Sequence, residues 1–308
     1  MPRTKNKNSQ ENEVRFHKDI MFGGVSDERF SFLKQQRDIF ASKFARNISL
    51  LLESKKPKKV YSPKGLLDPR KVYKHSFDDS IFYRKTSTPT SDTTIIFLID
   101  GSGSMDSRAF NDMTRLEVCN VIASAFAKAV KRTLNNEVKV EVFLKSAPSV
   151  IHKPTTGTDN GAFPVLTRLF TNTKQGVCDF DTLLKTDTIS PMTVNGSTQG
   201  SYTAELSVMP ALLDFMRKNI VTKNVVLLNI TDGESWCELN DYTFGDAENR
   251  QMRMKYLRGM PHLNIMISGR YDESSLRHIY GDNLMTADSD AFHSALFKKL
   301  NKLMESAI

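Results

Sequence analysis

The sequence has little cysteine. Its 308 residues include three, Cys119, Cys178 and Cys237, and no two of them form a Cys-x-x-Cys pair. An odd number of distant cysteines excludes a disulfide framework, and without such pairs a cysteine-type zinc site is not supported. Free cysteines are typical of a reducing compartment, so we expect a cytoplasmic protein.

Long hydrophobic runs are also missing. No apolar stretch approaches the roughly 18 residues that a membrane-spanning helix requires. The polar start of the chain is not followed by the apolar core of a secretion signal. We therefore expect no contact with a membrane, and the hydrophobic content of 39% is ordinary for a globular protein.

Familiar catalytic motifs are absent as well. The sequence has no Gly-x-x-x-x-Gly-Lys-Ser/Thr loop, which excludes a P-loop ATPase. The run from Gly101 to Ser104 does not have the spacing of a Gly-x-Ser-x-Gly nucleophile elbow. An aspartyl phosphatase would need a second Asp where Ser102 stands, and the six histidines do not cluster. We expect a chain that is not catalytic on its own.

Charge is unevenly distributed. The net charge is +8, and residues 1–90 carry 20 Lys and Arg against 10 Asp and Glu, so the basic excess lies there. A basic segment can bind nucleic acid or an acidic protein. Because aromatic residues do not alternate with these lysines as a base-stacking surface requires, nucleic acid is the less favoured partner.

A strand followed by an oxygen-rich loop is the strongest signal that is present. The uninterrupted apolar run Thr94–Ile99 is typical of a strand buried on both faces. It ends in Asp100-Gly101-Ser102-Gly103-Ser104, where the two glycines permit a sharp turn. The side chains of Asp100, Ser102 and Ser104 would share one small space in a surface crevice. Oxygen donors without nitrogen or sulfur predict Mg²⁺, or else Mn²⁺.

A second strand ends in the same way. The apolar run Asn224–Ile230 is followed by Thr231-Asp232-Gly233. Carboxyl ends of parallel strands meet at one edge of a sheet, which is where open α/β sheets bind ligands. We therefore add Asp232 to the predicted metal site.

The order of elements predicts the fold. Buried strands alternate with helices, which predicts a doubly wound, mostly parallel α/β sheet with helices on both faces. One of these helices is predicted over 108–134. We divide the chain into a flexible polar tail (1–25), a basic helical extension and linker (26–90) and the α/β domain (91–308). The extension begins with a helix capped by Ser26 that packs on its own domain or, alternatively, binds a partner.

The first metal motif resembles a known site. The segment Leu98-Ile99-Asp100-Gly101-Ser102-Gly103-Ser104-Met105 is similar to the metal-ion-dependent adhesion site (MIDAS) of von Willebrand factor A (VWA) domains. The resemblance implies a VWA/Rossmann-like fold and a protein-binding role in which a partner's acidic residue completes the metal shell. It also implies a threonine ligand before the next helix. We choose Thr203, with Ser201 and Thr198 as alternatives because a Gly-Gly-Thr sequence is absent.

A wider resemblance covers roughly residues 26–308. A basic helix, the turn Gly65-Leu66-Leu67-Asp68-Pro69-Arg70, a short strand and the metal-motif strand follow one another. This order resembles the C-terminal part of the T subunit of aerobic cobaltochelatase, although its long acidic segment is absent. The resemblance implies a non-ATPase adaptor that works with a AAA+ ATPase in a chelatase-like complex. Short relatives occur in large bacteriophages, in which case the location would be the host cytoplasm.

Two alternatives remain open at this stage. The first is an RNA-binding VWA protein of the Ro type, in which the basic N-terminal third would hold phosphates. The second is a structural component that uses the domain for assembly.

Overall fold

The structure is a computed structural model. It describes residues 14–16, 25–54, 59–62, 66–70, 82–85, 93–134, 138–148, 165–172, 179–185, 201–202, 205–222, 224–232, 237–239, 242–244, 250–251, 253–267, 277, 280–287, 295–296, 298–300 and 302–303. The α-helices whose bounds lie within the described residues are α1 (Asp27–Ser54), α2 (Arg115–Leu134), α3 (Phe180–Leu183) and α4 (Met209–Asn219). Residues 250–251, 277, 280, 295–296, 298–300 and 302–303 are helical as well. The strands are β1 (Val14–Phe16), β2 (Lys59–Ser62), β3 (Leu66–Leu67), β4 (Phe82–Lys85), β5 (Thr93–Asp100), β6 (Val138–Pro148), β7 (Val165–Thr171), β8 (Ser201–Tyr202), β9 (Asn224–Thr231), β10 (Cys237–Leu239), β11 (Tyr242–Phe244), β12 (His262–Ile267) and β13 (Leu284–Ala287).

A mostly parallel sheet forms the middle of the molecule. In the part of the chain that the structure describes, its strand order is β1-β7-β6-β5-β9-β12-β13, and β8 pairs with the end of β6. The five strands from β6 to β13 in this order are parallel, whereas β7 and β8 run antiparallel to β6. Strand β5 has parallel partners on both sides and all eight of its residues are buried. The uninterrupted apolar run in the sequence therefore corresponds to a fully covered strand.

Helices α1 and α2 cover one face of the sheet. Alternate β5 residues, Ile95, Phe97 and Ile99, belong to the core beneath them. The rings of Phe44 on α1 and Phe126 on α2 meet edge-on, with centroids 5.7 Å apart. Helix α1, which the sequence analysis placed in an extension, contributes five buried side chains to this core: Leu33, Phe40, Ala41, Phe44 and Ile48. The prediction that this helix packs on its own domain is therefore confirmed.

Helix α4 covers the opposite face. Ile96 and Leu98, which alternate with the previous set, pack there with Leu212 and Phe215 of α4. A 3-10 turn (Glu205–Val208) and a π-helical turn (Arg253–Leu257) complete this layer. The predicted doubly wound, mostly parallel α/β sheet with helices on both faces is thus confirmed.

Helix α2 begins later than the sequence analysis expected. Residues 108–114 form a tight loop in which Asn111 and Asp112 have positive φ, so the predicted start at residue 108 is wrong. The reason is a capping box: Thr114 N donates to Glu117 Oε2 (2.8 Å) and Glu117 N donates to Thr114 Oγ1 (3.2 Å). The helix therefore begins at Arg115.

A further difference concerns the segment that was predicted to be a flexible tail. Strand β1 pairs in parallel with β7, from Val14 opposite Leu166 to Phe16 opposite Arg168. These three residues are part of the sheet, which differs from the flexible tail predicted for 1–25. The rest of that tail before residue 25 lies outside the described residues.

Two small sheets accompany the main one. Strands β2, β4 and β3 form an antiparallel sheet in that order, and β10 pairs with β11 as an antiparallel ribbon. Among the described helices, none is both long and apolar enough to pass through a membrane.

Candidate functional site

The candidate site begins where the central strand β5 ends. Its last residue, Asp100, lies opposite Lys145 of β6, and Gly101 N donates to the Lys145 carbonyl at 2.8 Å. A Cβ on Gly101 would lie 2.8 Å from Cγ of Leu144. Gly101 does not have a positive φ. Close packing rather than a sharp turn therefore requires glycine here.

The carboxylate of Asp100 is fixed by two donors. Its Oδ1 accepts from Ser102 N at 2.9 Å, and its Oδ2 accepts from the Thr231 hydroxyl at 3.1 Å. Thr231 is the last residue of β9, the neighbouring parallel strand. Asp100 is therefore oriented by its own loop and by the adjacent strand end.

The two serines lie together in the same loop. Their hydroxyl oxygens are 3.0 Å apart. Ser104 is half-buried in the 3-10 turn Gly103–Asp106, and Ser102 precedes this turn. The structure thus brings Asp100, Ser102 and Ser104 into one hydrogen-bonded group, as the sequence predicts.

Asp232 completes the group from β9 but has a cationic partner. Its Oδ2 accepts from Arg115 Nη1 at 2.7 Å, and the same nitrogen lies 3.3 Å from the carbonyl oxygen of Ser104. Both side chains of this ion pair are almost fully buried. The start of α2 therefore joins the two loops that carry the predicted metal ligands.

A second buried cation lies on the α4 face of the sheet. Lys145 has no exposed surface, and its Nζ donates to Asn229 Oδ1 at 2.9 Å. Asn229 Nδ2 donates in turn to Asn264 Oδ1 at 3.0 Å. This row of polar side chains crosses β6, β9 and β12 just before the strand ends.

The charged groups of the site also affect the pKa of a buried thiol, that of Cys119. Burial raises the pKa of Cys119 well above its usual value, and the nearby carboxylates of Asp100 and Asp232 raise this pKa further, whereas Lys145 lowers it. Cys119 lies on α2, so the two carboxylates are close to the α1–α2 face as well. At neutral pH this thiol is protonated and has the packing role of a small apolar side chain.

The carboxylates are more buried than expected. Asp100 is 0% exposed and Asp232 is 1% exposed. The predicted surface crevice therefore does not describe these two groups, and only Ser104 of the first loop's oxygen-bearing trio is partly accessible. Burial is possible because each carboxylate has hydrogen-bond partners that replace water.

The third loop of the predicted site is described only in part. Thr203 and Thr198 lie outside the described residues. The backbone of Ser201 is in β8, opposite Pro148 at the carboxyl end of β6. That position is at the same edge of the sheet as Asp100, but the choice among the three ligands stays a prediction.

Sequence reasoning missed two residues of this group. The role of Arg115 was overlooked because a helix that begins at residue 108 places Arg115 in its interior and not at its start. The pattern Thr114-x-x-Glu117 is a capping box, and it would have placed Arg115 in the first helical turn, facing the strand ends. Thr231 carries no such signal, because a threonine within a strand is ordinary.

The donor set fits a hard divalent ion. It consists of carboxylate and hydroxyl oxygens, which Mg²⁺ and Mn²⁺ prefer. In the described parts of the chain, no three His, Cys, Asp or Glu side chains cluster in a way that could hold a metal. Hydroxyls would therefore have to supply part of the shell.

Comparisons with known proteins identify no relative. No protein-family model matches the chain, and no curated protein matches it. Two solved structures are similar over part of their length. The pilus adhesin SpaC from Lactobacillus rhamnosus GG has 15% identity and a TM-score of 0.42, over 73% of this chain and 32% of that one. The human COPII-coat protein Sec24c has 10% identity and a TM-score of 0.31, over 76% and 38%. The chain thus spans 32% of the length of SpaC and 38% of that of Sec24c, and these scores assign neither family nor function.

Proposed function

We propose that the chain is a VWA-type binding module that captures an acidic group of a partner protein through a Mg²⁺ or Mn²⁺ ion. The observation that supports this most is the group formed by Asp100, Ser102 and Ser104 at the end of the central strand. Asp232 emerges from the neighbouring strand at the same edge. Thr203 would add a further oxygen.

The ion would supply an exchangeable coordination position. With one or two carboxylates and neutral hydroxyls around it, a divalent ion keeps positive charge, and a carboxylate from a partner can replace a bound water. The chain's own residues orient the donors of the first loop: Thr231 and the Ser102 amide fix Asp100, whereas Asp232 is paired with Arg115. This arrangement is suited to binding and requires no catalytic step.

The proposed partner is a AAA+ ATPase, for which this chain would act as a non-ATPase adaptor in a chelatase-like complex. The proposal rests on the resemblance of the Gly65–Arg70 turn and its neighbours to the cobaltochelatase T subunit. In this turn Leu66 and Leu67 are 61% and 47% exposed. Asp68 is buried and accepts from Arg70 N at 3.1 Å. Two exposed leucines beside a hydrogen-bonded turn are suited to protein contact.

A protein partner is favoured over RNA by the pairing of the α1 cations. Lys34 Nζ lies 2.7 Å from Asp181 Oδ2, and Arg37 contacts both Asp181 and Asp38. Burial alone would raise the pKa of Asp38 and of Asp181, but hydrogen bonds from Lys128 and Arg37 to Asp38, and from Lys34 and Arg37 to Asp181, hold both pKa values below their usual range. Much of the helix's positive charge is therefore already compensated and less available to phosphates.

Metal binding by the isolated chain tests the proposal. Calorimetry with Mg²⁺ and Mn²⁺ should detect one ion per chain in the wild type and none in Asp100→Asn. Asparagine is preferred to alanine because it preserves the shape of a buried group, and its new amide can donate to the Thr231 hydroxyl. Asp214→Asn, on the exposed surface of α4, is the matched control and should bind like the wild type. Unchanged affinity in Asp100→Asn would contradict the proposal.

A further inference from the structure

We propose that Arg115 competes with the divalent ion for Asp232, so that a cation built into the chain sets the metal affinity of the site. This inference rests on the metal site proposed above. It concerns a residue that touches a candidate ligand and is not itself a ligand.

Arg115 contacts the same two loops that a bound ion would connect. Its Nη1 donates to Asp232 Oδ2 and approaches the Ser104 carbonyl. An ion held by Ser104 and Asp232 would join the same two loops. Without metal, the guanidinium therefore holds these loops together and leaves Asp232 compensated despite its burial.

The position of Arg115 conflicts with a local rule. It is the first residue of α2, where the helix dipole is positive and a cation is disfavoured. The capping box of Thr114 and Glu117 fixes this start. A violation of local preference in a buried position points to a compensating interaction at a functional site. Here the compensating group is Asp232.

The charge of the site leads to the same result. The carboxyl groups of Asp100 and Asp232 and the basic side chains of Arg115 and Lys145 are all buried at this edge of the sheet. A divalent ion would thus enter a region where Arg115 already pairs with one candidate ligand. Repulsion between this ion and the buried guanidinium that contacts Asp232 would weaken binding, because water screens little there. A carboxylate brought by a partner would offset this repulsion, so metal and partner should bind cooperatively.

The test compares charge at position 115 in the full chain. Isothermal titration calorimetry with Mg²⁺ and Mn²⁺ is carried out on the wild type, R115Q, R115K and R108Q. R115Q should bind each metal at least about tenfold more tightly. R115K keeps the charge and should stay within about threefold of the wild type. Arg108 is exposed in the loop that precedes α2, so R108Q controls for a general loss of positive charge.

Thermal unfolding gives a readout that is independent of affinity. In EDTA, R115Q should melt at a lower temperature than the wild type, because the buried ion pair between Arg115 and Asp232 is lost. Mg²⁺ should then raise the melting temperature of R115Q by more than that of the wild type. If R115Q does not fold in EDTA, excess Mg²⁺ should restore a cooperative transition.

The outcomes separate this inference from the proposed function. Metal binding by R115Q that is equal to or weaker than that of the wild type would overturn the inference and leave the metal site standing. Binding by neither protein would overturn the metal site and the inference together. Binding by R115Q alone would support the inference in its strongest form. Failure of Mg²⁺ to refold an unfolded R115Q would count against it.

Discussion

Gly101 leaves no room for a methyl group. A Cβ there would meet Cγ of Leu144 at 2.8 Å and both Cδ atoms at 3.0 Å, and Leu144 is completely buried. We expect Gly101→Ala to lower the free energy of unfolding by about 1–3 kcal/mol, the usual cost of overpacking. Urea denaturation measures this change.

A double mutant checks the proposed cause of this loss. In a Leu144→Ala background the added methyl group has space, so Gly101→Ala should then cost much less. Equal costs in both backgrounds would show that the loss comes from the backbone and not from Leu144.

At the level of residues, the sequence predicted which candidate ligands lie together in one loop. It did not predict the hydrogen-bond partners that hold the two carboxylates. An Asp and two Ser at alternate positions directly after a strand are close in sequence and therefore lie close in space, and Asp100, Ser102 and Ser104 do so. The burial of Asp100 and Asp232 could not be predicted, because it depends on donors that are distant in sequence. Thr231 is 131 residues from Asp100, and Arg115 is 117 residues from Asp232.

At the level of elements, α1 fixes the loop that precedes α2. Arg29 of α1 forms a two-pronged ion pair with Glu117, at 2.8 and 2.5 Å, and also donates to the Asp112 carbonyl. This loop leads from the candidate site to the capping box. Helix α1 therefore stabilises the approach to the site, although it contributes no ligand.

A double-mutant cycle measures this contact. Arg29→Met and Glu117→Gln, singly and together, should give a coupling energy of about 1 kcal/mol, at the upper end for a partly exposed pair with bidentate geometry. Glutamine keeps the capping bond to Thr114, so the cycle isolates the charge. Arg46→Met, exposed on the same helix, should change stability by less than about 0.5 kcal/mol. A coupling energy near zero would mean that α1 is held by its apolar side chains alone.

The bounds of elements were predicted best where burial decides them. The sequence placed β9 over Asn224–Ile230, and the strand runs from Asn224 to Thr231. The start of α2 was missed because the apolar residues Phe110 and Met113 extend the helical pattern into a loop. Backbone conformation at Asn111 and Asp112, both with positive φ, overrides that pattern.

At the level of the whole molecule, acid should weaken the fold through His262. Burial lowers the pKa of this ring below its usual value, and the charge of Arg253 adds to this effect, although the Met260 carbonyl, 2.8 Å from Nδ1, raises it. The unfolded chain therefore takes up this proton at a higher pH than the folded chain. The free energy of unfolding should fall as the pH drops below about 6.5, until the folded ring is also protonated.

Replacement by asparagine tests this linkage. The amide nitrogen of His262→Asn can take the place of Nδ1 and still donate to Met260, but it does not titrate. Chemical denaturation between pH 7.5 and 5 should therefore show a flatter pH dependence in His262→Asn than in the wild type. Parallel curves would assign the acid sensitivity to other groups.

The alternation of apolar runs with helical segments predicted the central sheet and its two covered faces. It did not predict how the outermost elements join this structure. Apolar runs separated by helical segments specify a parallel sheet with two covered faces, which is what β5, β9 and β12 form. Strand β1 has three residues and no distinctive pattern, so its pairing with β7 depends on the rest of the sheet. Helix α1 looked like an appendage because its sequence is basic and lies before the first buried strand.

The packing of α1 decides how this domain can be divided. A fragment that starts at residue 91 would keep every strand from β5 onward and the described candidate metal ligands, yet it would expose the α2 surface that Leu33, Phe40, Phe44 and Ile48 cover. It would also remove the guanidinium that holds Glu117. Anyone who expresses the domain alone should therefore keep α1, and should start the fragment before Val14 if β1 is to stay in the sheet. Recombination that joined the metal motif to a new neighbour would have to carry the same helix with it.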